Sequence, residues 1–145
     1  MSLSKQTIDT VKATVPVLQQ HGQAITERMY IVLFEKYPET KALFKNAPDN
    51  QPGILSAAVA AYAANIDKLD VLKNAVERMA IAHVRSHVQP EHYPMVGDAI
   101  LTALQDVLGE TATPQILEAW KEAYFFLADI LINREEMLYC TKKTG

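Results

Sequence analysis

Apolar residues recur at intervals of three and four from one end of this chain to the other, and no stretch alternates apolar with polar. Helix faces repeat every 3.6 residues and strand faces every two, so the pattern predicts helices and leaves no half-buried strand. The chain therefore reads as all-α, with six to eight helices. Its 145 residues suffice for a single domain, 1–145, around one core. A hydrophobic share of 49% against 21% charged residues marks a chain that folds, not a disordered one.

Charge and cysteine content narrow the function classes. The net charge of −3 is spread without a basic stripe, which argues against nucleic acid as a partner. No run of eighteen apolar residues is present, so no membrane-spanning helix is expected. The start, MSLSKQTIDT, lacks the pattern of a secretory signal, and a cytoplasmic location is the expectation. Cys140 is the one cysteine; it excludes an internal disulfide and a multi-cysteine metal site, and its basic neighbours Lys142 and Lys143 give little support to a nucleophile.

The periodicity places a first helix over about 4–20, kinked by Pro16 and ended by His21-Gly22, and a second that stops at Tyr37-Pro38. A polar loop from Lys45 to Asn50 follows, with Asp49 or Asn50 as cap and Pro52 in the first turn of an alanine-rich helix. Such small side chains let another helix, or a flat cofactor, approach the backbone closely. Further helices are expected over about 71–86, 94–108 and 115–140, with Gly109 as a stop and Thr113-Pro114 as a start.

Function is best sought where a polar group interrupts an apolar face. Glu135 continues the stripe of Trp120, Tyr124, Leu127, Leu131 and Leu138, and an unpaired buried carboxylate is costly, so it needs a designated partner or a frayed, solvated end. His83 continues the face of Leu72, Val76 and Met79, as a satisfied core histidine or as a metal ligand whose second nitrogen is oriented by Glu135 or Tyr93. Tyr30 shares the face of Phe34, and Gln51 that of Leu55; a backbone bond for the phenol and solvent for the amide are the plain alternatives. His83 and His87 also have the i, i+4 spacing of a zinc pair. Val84 stands where a zinc protease needs glutamate, and Pro90 separates Glu91 from the helix. His21 and His92 are expected to face solvent.

In this order the chain resembles bacterial single-domain haemoglobins of the Vitreoscilla type and the globin domain of flavohaemoglobins. The likeness runs from Gln6-Thr7-Ile8 through Tyr37-Pro38-Glu39, Leu43-Phe44, Gln51-Pro52, His92-Tyr93-Pro94 and Ala119-Trp120 to Leu138-Tyr139. It implies a three-over-three helical sandwich, the globin fold, holding a b-type haem (iron protoporphyrin IX). His83 is then the iron ligand, and Tyr93 and Glu135 are the pair that orients it. Tyr30, Gln51 and Leu55 line the opposite pocket, Phe44 wedges against the haem, and Val88, Val96 and Phe126 are further haem contacts.

The resemblance implies O₂ and nitric oxide as ligands and two activities: nitric oxide dioxygenation with an external reductase, or reversible oxygen storage and delivery. A homodimer stays open. Two departures stand out. Ala82 replaces the basic residue that flavohaemoglobins commonly carry before the histidine, which suits a chain without a fused reductase; Lys142-Lys143-Thr144-Gly145 does not continue into a flavin domain, as expected of a single-domain protein or of a trimmed piece of a longer one. Phe125-Phe126 puts bulky rings where relatives often carry smaller residues.

Overall fold

The computed structural model describes residues 3–45, 47 and 50–144, with side chains up to residue 140. All regular structure among them is helical. Six α-helices follow one another: α1 (Lys5–Ala13), α2 (Val15–Lys36), α3 (Gln51–Ala64), α4 (Lys73–Arg85), α5 (His92–Leu108) and α6 (Pro114–Thr144). Three short 3-10 segments, Pro38–Phe44, Leu69–Leu72 and Gly109–Thr111, join them.

The N-terminal half differs from the sequence expectation. The break falls at Thr14, and α2 runs without interruption through His21-Gly22. Pro16 begins a helix where it was expected to kink one. In the first turn its missing N–H has no intrahelical partner to lose. The break is held from a distance: Thr14 Oγ1 donates to the Val11 carbonyl at 2.6 Å and accepts from the Trp120 indole at 3.1 Å, both inside the core. Gly22 stays helical because α3 crosses there, and a Cβ at Gly22 would collide with Ser56 Oγ.

Other boundaries follow the sequence reading more closely. Tyr37 ends α2 as expected, Gly109 caps α5 with φ of 57°, and Thr113 Oγ1 accepts from the Ile116 N–H at 3.2 Å at the start of α6. Asn50 occupies the cap position of α3 without a side-chain bond, and Asp49 lies outside the described residues. The helix expected from residue 94 begins at His92, with Pro94 accommodated in its first turn.

α2 packs on α3 and α5, while α6 packs on α1, α4 and α5. The buried side chains form two clusters. The larger joins α1, α2, α3, α5 and the first half of α6 around Leu33, Met29, Tyr62, Leu104 and Trp120. The smaller, Ala80, Tyr93, Ala128 and Leu131, ties α4 to α5 and the second half of α6. Tyr124 and Leu127 pack against both. No helix among the described residues is long and apolar enough to cross a membrane.

Candidate functional site

The polar residues singled out in the sequence fall into two groups, one on each cluster. On the smaller cluster, α4, α5 and α6 bring His83, Tyr93 and Glu135 together. His83 Nδ1 lies 2.9 Å from Glu135 Oε2 and 2.9 Å from the Tyr93 hydroxyl. The Tyr93 hydroxyl donates to the Glu135 carboxylate at 2.7–2.8 Å. Glu135 is only 3% exposed, so its burial is compensated by these two donors and not by solvent. The frayed-end alternative for this residue is thereby set aside.

The proton count in this triad fixes the imidazole. Tyr93 has one proton and gives it to Glu135, so its oxygen can only accept from the ring. Glu135, as a carboxylate, can only accept as well. Nδ1 must therefore be the donor, which leaves Nε2 as the ring nitrogen outside the triad. Burial, and then the carboxylate beside it, hold the Tyr93 phenol far above its ordinary pKa, so it stays a donor. A metal takes an imidazole through one ring nitrogen while the other is held by a hydrogen-bonded orienter, so the residues present fit a single histidine ligand to a haem iron.

The zinc reading fails on geometry. α4 ends at Arg85, and His87 lies beyond it in the left-handed region, with φ of 65°, so the two histidines do not share a helix face. Among the described residues no group of three or more His, Cys, Asp or Glu is placed to hold a metal.

On the larger cluster, Tyr30 is buried on α2 and accepts a bond from Gln51 Nε2 on α3 at 3.3 Å. Burial raises the phenol pKa, and the Gln51 contact offsets only part of that rise. Gln51 uses an oxygen lone pair, and no acceptor among the described residues takes the Tyr30 proton. The ring is caged by Phe44 (centroids 5.1 Å apart, edge-on) and Phe34 (5.8 Å). Among the described residues the phenol makes no backbone bond, and the half-buried Gln51 spends its amide on the Tyr30 oxygen.

The expected contact residues divide in the same way. Phe44, Leu55 and Val96 are half-buried and pack on the larger cluster, and Val88 packs on the smaller. Phe126 is half-buried and belongs to neither, whereas its neighbour Phe125 packs on the smaller cluster against the Tyr124 ring. His21 is exposed as expected. His92 is half-buried and accepts the Gln89 N–H on Nδ1 at 2.9 Å, which helps to start α5. The sequence reading assigned no role to Tyr139, whose hydroxyl donates to the Val88 carbonyl at 2.7 Å. Its place one turn after Glu135 on α6 was the available signal.

Comparison with known proteins identifies the family. The model of the family described as Globin matches residues 27–131. The chain is 50% identical over 137 residues to an uncharacterized globin-like protein of Aquifex aeolicus, covering 94% of this chain and 97% of that one. It is 46% identical to a flavohemoprotein of Oceanobacillus iheyensis; the match covers 97% of this chain and 36% of that protein's length. Among solved structures, an engineered carbene transferase from Rhodothermus marinus, described as a candidate nitric oxide dioxygenase, superposes with a TM-score of 0.95 at 44% identity, covering 98% of this chain and 99% of that one. The all-helical architecture, the single oriented imidazole and these matches along the chain lead to one conclusion: the chain belongs to the globin family, and haem binding is implied with it.

Proposed function

We propose that the chain holds a b-type haem through His83, binds O₂, and converts nitric oxide to nitrate with one electron from a separate reductase (NO + O₂ + e⁻ → NO₃⁻). The observation that carries this reading is the Tyr93–Glu135–His83 triad. When bound, the haem supplies an iron that takes diatomic ligands and exchanges an electron. His83 provides the Nε2 lone pair. Glu135 and Tyr93 pull on the Nδ1 proton, which makes the imidazole more electron-donating and favours charge moving onto a ligand. Tyr30 keeps its proton through burial, and with Gln51 on its lone pair it has that proton to offer an acceptor carrying negative charge. Phe44 and Leu55 add apolar surface that keeps water away. Flavohemoproteins among the relatives and the candidate dioxygenase among the solved structures support the same activity.

The test is nitrate formation by the haem-loaded protein with a reductase and nitric oxide, compared with Tyr30→Phe. A hydrogen bond to a charged acceptor contributes about 1.5–3 kcal/mol, so the variant is expected to release O₂ roughly tenfold or more faster and to turn over less. Unchanged O₂ release and turnover would remove Tyr30 from the reading. Reversible O₂ binding by the parent chain without nitrate would favour oxygen storage or delivery.

A further inference from the structure

The turn after α4 is held in a conformation that its own residues disfavour. The Val88 N–H donates to the His83 carbonyl at 2.9 Å and the His87 N–H to the Val84 carbonyl at 3.1 Å. This double bond pattern closes a helix only when the residue between is left-handed, a place that glycine usually takes. Here His87 takes it, at φ of 65°. A side chain at that position pushes the backbone back toward negative φ, so the turn needs a hold from outside the segment.

α6 supplies that hold. The Tyr139 hydroxyl donates to the Val88 carbonyl at 2.7 Å and accepts from Gln89 Nε2 at 3.4 Å, and Gln89 Nε2 also reaches the His87 carbonyl at 3.4 Å. Glu135, one helical turn earlier, bonds the His83 ring itself. Two side chains of one rigid helix thus grip the same histidine at two points, the ring nitrogen and the turn that closes behind its carbonyl.

We propose that Tyr139 is a positioning residue for His83: by pinning the Val88 carbonyl it keeps the Val88 N–H on the His83 carbonyl and so sets where the imidazole stands relative to Glu135. The haem readout below rests on the proposed function; the others do not. In Tyr139→Phe the ring volume stays and the bond goes. The turn then relaxes, the last turn of α4 frays, and the imidazole samples more than one orientation.

Three readouts test this, with Tyr62→Phe as control, since that change removes a phenol bond to the α6 carbonyl of Ala123, away from His83. In the haem-free chain, the Val88 amide of Tyr139→Phe is expected to exchange roughly fivefold faster, the factor that loss of one ordinary hydrogen bond gives. The His83 ring resonances are expected to shift and broaden, whereas the Tyr62→Phe control leaves both where they are in the parent. In the ferrous haem-loaded chain, the iron–histidine stretching band is expected to broaden or move with Tyr139→Phe alone. Faster Val88 exchange with unmoved His83 resonances would overturn the proposal, because Tyr139 would then anchor a loop and nothing more. The same holds if both variants move the ring alike. Absence of any iron–histidine band in the parent chain would sink the haem reading, and the His83 resonances would still decide the role of Tyr139.

Discussion

At the scale of single residues, the most informative position is Glu135, because a carboxylate in an apolar stripe has to be explained by a partner. Spacing showed that Glu135 needed a partner or a solvated end and offered His83 as one candidate; the structure supplies the pairing. The direction of the proton was not legible, since it depends on the Tyr93 hydroxyl lying within reach of both groups. Glu135→Gln tests that direction. A neutral amide pulls less on the Nδ1 proton, so the iron–histidine stretching frequency of the haem-loaded chain is expected to fall; an unchanged frequency would detach Glu135 from ligand strength. The amide also brings two donors to a site with places for acceptors, and chemical denaturation is expected to show a loss of about 1–3 kcal/mol.

At the scale of elements, helix existence was readable and helix ends were less so. The break between α1 and α2 illustrates the reason: it is set by the Trp120 indole, more than a hundred residues away, and no local pattern announces that. Gly22 misled in the opposite direction. Glycine usually signals a stop, yet here it marks the place where α2 and α3 cross closely enough that a Cβ would meet the Ser56 hydroxyl and displace it. That crossing carries a non-additive prediction. Replacing a mid-helix glycine with alanine ordinarily stabilises by about 1 kcal/mol. Gly22→Ala is expected to show that gain only when Ser56→Ala has removed the hydroxyl, and to lose at least about half of it when Ser56 is present. Equal effects in both backgrounds would mean that the crossing does not explain the glycine. The Schellman-type end of α4 at His87 was equally hidden, since a histidine gives no sign of a left-handed turn.

At the scale of the whole molecule, the helical class could be read from the chain, but the division of the core into two clusters could not. Each half of the candidate site rests on its own cluster, and only packing shows which residues belong to which. The phenols show how far this packing governs the molecule. All six tyrosines have pKa values raised above the ordinary phenol: burial leads for Tyr30, Tyr62, Tyr93, Tyr124 and Tyr139, and the bond to Asp98 leads for Tyr37. An unfolded phenol ionises near pH 10. Above that pH the unfolded chain sheds protons that the folded chain keeps, so stability that is complete below about pH 10 falls as pH rises further. Phenolate absorbance from the more deeply buried Tyr30, Tyr62, Tyr93 and Tyr124 and loss of helical circular dichroism are expected to rise together in one alkaline step, with Tyr37 and Tyr139 free to ionise earlier. More than two phenolates formed well ahead of unfolding would contradict the buried assignments. On the acid side the effect is weaker, because the lowered carboxylates Asp67, Glu77 and Asp98 sit in half-exposed pairs with Lys12, Arg134 and Lys36.

α6 acts as a ruler. Trp120, the Ala123 carbonyl and Tyr124 are read by the first half of the molecule and by α5, while Arg134, Glu135 and Tyr139 are read by α4, the start of α5 and the turn between them. One residue inserted after Ala128 would turn everything beyond it by about 100° and push it about 1.5 Å along the axis. All three later marks would be lost in one event while the earlier ones kept their places. Mutational scanning for haem retention is therefore expected to find α6 intolerant of any change in length between residues 124 and 134, and the 109–113 connection forgiving of the same change. Substitutions can be absorbed one at a time in this helix; insertions and deletions cannot.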